Sequence, residues 1–192
     1  SGEILLDGHP LSDYDPVELR REIGVIFQDF VRYDLKVWEN IGFGRIENLE
    51  DRARIEEAAH KSLAGEVISK LPGGLEALLG RRFDGGSDLS AGQWQKIALA
   101  RAYMRDAQLL ILYEPTASLD ARAEYEVFQR FAHLTGGKMA VLISHRFSTV
   151  RMADHILVLA GGELAESGSH EQLLRMDGRY AELFRLQAAG YQ

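Results

Sequence analysis

The sequence predicts an α/β fold, and three observations carry that expectation. Leu109–Leu112 and Met139–Ile143 are continuous apolar runs of strand length, as in parallel strands covered on both faces. Between them Tyr125, Phe128, Phe131 and Leu134 recur at helical spacing, in a connection long enough for a crossover helix. Ahead of the first run, Ser90-Ala91-Gly92-Gln93 is a capping box: the serine accepts from the third helical amide and the glutamine reaches back.

The remaining elements follow in order. Ile4–Leu6 into Asp7-Gly8 reads as a short strand entering a turn. Asp15-Pro16 opens a helix to about Arg21, with aspartate suited to the N-cap and proline to the first helical position. Gly24–Phe27 predicts a buried strand ending at Gln28. From Asp29 to about Lys70 the sequence is charged and helix-favouring, and Glu47–Lys61 reads as a solvated helical face. Pro72-Gly73-Gly74 and Gly85-Gly86 are loops. The helix from Ser90 runs to about Arg105. Ile156–Leu159, Gly161-Gly162 and Glu163–Glu166 form a hairpin, and Ser169-His170-Glu171-Gln172 is a second capping box opening the closing helices.

Composition narrows the function. The 192 residues carry 22 basic and 29 acidic side chains, a net charge of −7, which argues against a dedicated nucleic-acid partner. With no cysteine, disulfides, thiolate zinc sites and cysteine nucleophiles are excluded. The six histidines lack metal-ligand spacing, and His170-Glu171-Gln172-Leu173-Leu174 lacks the second histidine of a zinc protease motif. No apolar run reaches the roughly 18 residues of a membrane span.

Three apolar runs each lead into a polar residue: Phe27 into Gln28, Leu112-Tyr113 into Glu114, and Ser144 into His145. Strands often end in polar residues as they reach water, so one such ending carries little. Three together place an amide, a carboxylate and an imidazole at the carboxyl ends of strands, where open α/β sheets bind ligands. The helix start at Ser90 adds unpaired amides and a positive dipole end, a ready anion site, and Gly92 allows close backbone approach.

Leu89-Ser90-Ala91-Gly92-Gln93, continuing Trp94 to Ala102, resembles the signature motif of ATP-binding-cassette (ABC) ATPases. Leu109–Leu112, Tyr113, Glu114-Pro115-Thr116 and Ser118-Leu119-Asp120 resemble that family's Walker B and D-loop. Gln28 matches its Q-loop and Ser144-His145-Arg146 its switch histidine, all in family order. Ser144–Val150 and the tail Gly168–Leu174 look more like the exporter branch than the importer branch.

The resemblance implies a P-loop NTPase-like, mainly parallel sheet with an inserted helical subdomain. Residues 1–28 and 101–192 would form the ATPase core, and 29–100 the helical subdomain ending in the signature. It implies ATP and Mg²⁺ as cofactors, a second nucleotide-binding domain and a transmembrane domain as partners, and the cytoplasmic face of a membrane as location. Glu114 would be the general base, His145 the γ-phosphate contact, and Gln28 the residue meeting Mg²⁺ or the attacking water. Ser90, Ala91, Gly92 and Gln93 would face the partner's nucleotide, and Asp120 would work across the dimer interface. Trp38 and Phe43 read either as aromatics buried in the helical subdomain or as the surface meeting a transmembrane coupling helix.

Departures from the pattern qualify the activity. No Gly-x-x-x-x-Gly-Lys-Ser/Thr occurs, and in the family that loop lies just upstream of the segment matching Ser1-Gly2-Glu3-Ile4. The expectation is therefore a chain truncated before its phosphate loop. Tyr113 stands where Walker B has aspartate, and a phenol offers Mg²⁺ a neutral oxygen instead of a hard anionic one. Ala91 replaces the first signature glycine, a change suited to a helix start. The predicted function is ATP-driven export, with a degenerate, non-catalytic half-site or a non-productive fragment as alternatives.

Overall fold

The computed structural model describes residues 2–114, 124–125 and 138–189. The chain divides into two compact units, residues 1–141 and 142–192.

In the first unit, β1 (Leu5–Leu6) and β2 (His9–Pro10) pair antiparallel around Asp7-Gly8. Both turn residues have positive φ, 50° and 80°, the geometry a two-residue hairpin turn requires. Helix α1 (Pro16–Glu22) starts as the sequence predicts: Asp15 accepts from the amides of Val17 at 2.8 Å and Glu18 at 3.0 Å. It runs directly into β3 (Ile23–Ile26). Helices α2 (Val37–Gly42), α3 (Arg52–Lys61) and α4 (Ala64–Ile68) form a helical layer. Helix α5 (Ala91–Tyr103) packs against all three and against β3. Its Trp94, Ile97 and Ala100 join Val37, Ile41, Ile55 and Val67 in one core.

Strand β4 (Leu109–Tyr113) lies parallel to β3, with Ile23 opposite Leu109 and Ile26 opposite Leu112. Strand β5 (Met139–Ile143) completes the order β3-β4-β5 and carries the chain into the second unit. Coverage of both strand faces is not what these strands show. Successive side chains point to opposite faces, and burial falls on one set: Gly24 and Ile26 in β3, Leu110 and Leu112 in β4. Val25, Phe27, Met139, Val141 and Ile143 are exposed. The strand predicted over Gly24–Phe27 also lies one residue earlier. Of the expected crossover helix only Tyr125 falls among the described residues, in helical conformation; Phe128, Phe131 and Leu134 lie outside them.

In the second unit, β6 (Ile156–Ala160) and β7 (Glu163–Gly168) form the predicted hairpin, turning at Gly161 and Gly162 with φ of 61° and 83°. Around it lie α6 (Phe147–Val150), α7 (His170–Met176) and α8 (Arg179–Ala189). The second capping box is present: Ser169 Oγ accepts from the Gln172 amide at 3.3 Å, and Gln172 Oε1 accepts from the Ser169 amide at 2.8 Å. Ile156, Leu173 and Tyr180 form this unit's core, with Phe147 and Val150 packed on it.

The α1 cap makes a pH prediction. The amides of Glu18 and Val17 hold the Asp15 carboxyl below the ordinary aspartate value. A depressed folded-state pKa stabilises the fold above the unfolded value near about 4, and that contribution fades as pH falls through the folded value. Urea midpoints should therefore show Asp15→Ala clearly less stable near about pH 7, with the gap from the native chain narrowing on acidification to about pH 3. A pH-independent gap would refute the charged cap.

Candidate nucleotide site

The start of α5 is an open helix end with its flanking amides already satisfied. Ser90 is extended (φ −62°, ψ 160°), its Oγ accepts from the Gln93 amide at 3.3 Å, and Gln93 Oε1 accepts from the Ser90 amide at 2.8 Å. The amides of Ala91 and Gly92, at the first two helical positions, have no intrahelical acceptor and point out of the helix end. Ser90 and Ala91 are exposed while Leu89 and Trp94 on either side are buried, so packing fixes the end and leaves its face open. An anionic phosphate oxygen fits there.

A second group of polar residues sits beyond the sheet. Because Ile26 is paired with Leu112 in parallel register, Gln28 and Glu114 each stand two residues past the same rung. They leave the sheet at the same end, as predicted. Gln28 is exposed in a turn. Glu114 has φ 47°, a left-handed conformation that a non-glycine residue adopts at a cost of about 1–3 kcal/mol. Such strain clusters at functional sites, and here it falls on the carboxylate that the sequence singles out. Tyr113, beside it, is 45% exposed.

His145 belongs to the second unit, two residues past the end of β5, and is exposed. Ser144 Oγ accepts from the Arg146 amide at 3.0 Å, turning the chain just there. Asp120 lies outside the described residues. Among the described residues no cluster of histidine, aspartate and glutamate has the makings of a metal site.

Sequence reasoning assigned no role to the residues that tie α5 to the Gln28 segment. Arg101 donates from Nε to the Asn40 carbonyl at 2.9 Å, from Nη1 to the Val31 carbonyl at 3.0 Å, and from Nη2 to Asn40 Oδ1 at 3.3 Å. Its guanidinium lies 4.7 Å from the centre of the Tyr33 ring, and burial pushes its pKa down from the usual arginine value. Asn40, fully buried, donates from Nδ2 to the carbonyls of Tyr33, Leu35 and Lys36 at 2.9–3.2 Å. Just past the end of α5, Arg105 donates to the carbonyls of Gly44 at 2.9 Å and Arg20 at 2.7 Å. Both sides of Gln28 are thus pinned to the same helix end. The signal in the sequence is a pair of arginines four apart at the end of a helix otherwise apolar there.

Between β3, the turn after it and α5 runs a groove of about 310 Å³, lined by Phe27, Phe30, Val31, Phe43, Ala98 and Arg101. Phe43 lies on this groove, edge-on to Tyr33 at 5.2 Å. Trp38 instead packs against the helical core, with the Arg52 guanidinium 4.3 Å from its ring centre.

An α/β sheet with polar residues past one end of its parallel strands, beside an exposed capping-box helix start, is the arrangement in which open α/β domains bind ligands. Comparison with known proteins gives the family. The sequence profile of the ABC transporter family matches residues 1–117. The ATP-dependent lipid A-core flippase of Alcanivorax borkumensis is 42% identical over 185 residues, covering 96% of this chain and 31% of that protein. The subtilin transport ATP-binding protein SpaT of Bacillus subtilis is 40% identical over 182 residues, 95% of this chain and 30% of that protein. The structure of a bacterial Atm1-family ABC exporter with ATP bound superimposes with a TM-score of 0.88 at 34% identity, covering 98% of this chain and 32% of that one. The chain belongs to the ABC transporter family, as its motifs implied. It spans about a third of the length of the curated relatives it matches.

The Arg101–Asn40 network predicts a stability effect. Asn40→Ala removes the buried amide that joins three carbonyls to Arg101 and leaves part of a half-buried guanidinium unpaired. Urea denaturation should show a loss of about 2–4 kcal/mol, against less than about 0.5 kcal/mol for the exposed Glu47→Ala. Equal small losses would mean that the network is dispensable.

Proposed function

We propose that this chain acts as a nucleotide-binding domain of an ABC exporter, lending its α5 start to a nucleotide held mainly by a second such domain. The observation that carries the reading is the exposed, capping-box start of α5, in a family whose solved relative is described with ATP bound. ATP supplies the phosphoanhydride bond that is cleaved. The chain's contribution is positioning and charge stabilisation. The Ala91 and Gly92 amides and the Ser90 hydroxyl donate to phosphate oxygens, with Gln93 holding that geometry. On the chain's own side, Glu114 polarises the attacking water, an effect worth about 10²–10⁴-fold. His145 contacts the γ-phosphate, and Asp120 works at the interface between the two domains.

The residues fit a nucleotide better than they fit Mg²⁺. Gln28 offers one hard neutral oxygen, and Tyr113 offers a phenol where a carboxylate would serve the ion. That mismatch favours a second reading, a half-site that completes a partner's nucleotide site without hydrolysing its own. In both readings a transmembrane domain docks at the groove beside Gln28, whose phenylalanines suit an apolar helix end, and the domain works on the cytoplasmic face of a membrane. No described helix is itself long and apolar enough to cross one.

Sedimentation tests the shared core of these readings. The chain, mixed with a homologous domain that carries a phosphate loop and is blocked in hydrolysis, should form an ATP-dependent heterodimer. Ser90→Arg should abolish it by placing a long side chain at the phosphate face, while Tyr113→Asp should associate within about twofold of the native chain. A folded chain that forms no heterodimer with a self-associating partner would refute the proposal. Hydrolysis by a pair with unblocked partner, raised by Tyr113→Asp, would separate the catalytic reading from the half-site.

A further inference from the structure

The segment that carries His145 is held by a residue from the far end of the chain. Gln187 Oε1 accepts from the Phe147 amide at 2.9 Å, and Gln187 Nε2 donates to the His145 carbonyl at 3.3 Å. One side-chain amide thus satisfies the backbone groups on both sides of Arg146, which is extended with φ −94° and ψ 118°.

The arrangement has a local reason. Phe147 opens α6, so its amide is one of the helix's unpaired donors. Arg146, at the N-cap, makes no side-chain capping bond. Gln187 supplies that cap from α8. Tyr180, Phe184 and Gln187 recur at helical spacing, on one face of α8. The Phe147 ring meets Tyr180 edge-on at 5.1 Å and Phe184 at 5.4 Å. The aromatic pair fixes where α8 lies, and the amide then fixes the backbone. On the other side, Ser144 Oγ takes the Arg146 amide. His145 therefore sits between two anchored points, although its ring is exposed.

We propose that Gln187 is the positioning residue for His145, holding the histidine's backbone in one conformation through the paired bonds to His145 and Phe147. The proposal rests on the reading that His145 meets a nucleotide phosphate, because a contact of that kind depends on a fixed approach.

The test uses the whole chain, isotope-labelled and free of nucleotide, in solution NMR. It reads hydrogen exchange at the Phe147 amide and the backbone HN–Hα couplings of His145. Gln187→Ala should raise Phe147 exchange about tenfold, the effect of losing one hydrogen bond, and move the His145 couplings toward conformational averages. Gln187→Glu keeps an acceptor but loses the donor. It should hold Phe147 exchange within about threefold of native while the His145 couplings still average. Leu186→Ala, an exposed neighbour on the same helix, should change neither readout. The proposal is overturned if Gln187→Ala leaves Phe147 exchange unchanged, if the His145 couplings stay fixed in both Gln187 variants, or if Leu186→Ala reproduces their effect. With no nucleotide present, these outcomes are independent of whether the ATP-dependent heterodimer forms.

Discussion

A half-buried guanidinium on a largely apolar helix constrains the chain around Gln28 in the first unit. Arg101 lies on α5 beside core residues and is partly withdrawn from water, so its guanidinium needs hydrogen-bond partners. Its hydrogen-bond acceptors are two backbone carbonyls and one amide oxygen, not a carboxylate. Carbonyls can reach Arg101 only if the chain between Val31 and Asn40 wraps closely round the helix. Asn40 then fills the inside of that wrap and donates to three further carbonyls. Gly44 follows from the same closeness: a Cβ there would come 1.8 Å from the Arg101 carbonyl oxygen, which leaves room for glycine alone.

These bonds give α5 two different ends. Its first turn is exposed and offers amides, a hydroxyl and a glycine to an anion. Arg101 in its last turn and Arg105 just past it are bonded to the segments on either side of Gln28. Ser90 and Arg101 are about 16 Å apart along the axis, at 1.5 Å per residue. The start of α5 and the Gln28 turn are therefore joined through one packed helix.

The sequence was legible where chemistry is local. Both serine–glutamine capping boxes, the Asp15–Pro16 helix start and the glycine turn of the β6–β7 hairpin each depend on neighbouring residues alone. The matching offsets of Gln28 and Glu114 were also foreseeable, because apolar runs in an α/β pattern imply parallel strands. What could not be read was long-range: Arg101 meets Asn40 and Gln187 meets Phe147 across tens of residues, and nothing local in either pair records its partner. Strand coverage differs from the sequence expectation for a related reason. A continuous apolar run states that a strand can be buried on both faces, whereas burial itself depends on what packs there. The run Met139–Ile143 reads like a core strand although Met139 is 63% exposed.

Residues 113 and 114 show how fold and chemistry separate in this domain. Along β4 the pleat turns Leu112 inward, where it is 3% exposed, and Tyr113 outward. A tyrosine can therefore stand at that position without disturbing the parallel pairing of Ile26 with Leu112, and bulk beyond that of an aspartate extends toward solvent. The left-handed turn at Glu114 belongs to the backbone as it leaves the strand, and it is kept beside Tyr113. In the proposed reading, the tyrosine lacks the anionic oxygen a metal favours, while the conformation that presents the neighbouring carboxylate is kept. The start of α5 is untouched, since its geometry comes from Ser90, Gln93 and the core residues around them. Under the proposed function, weak metal chemistry at one nucleotide is therefore physically compatible with a helix start offered to another.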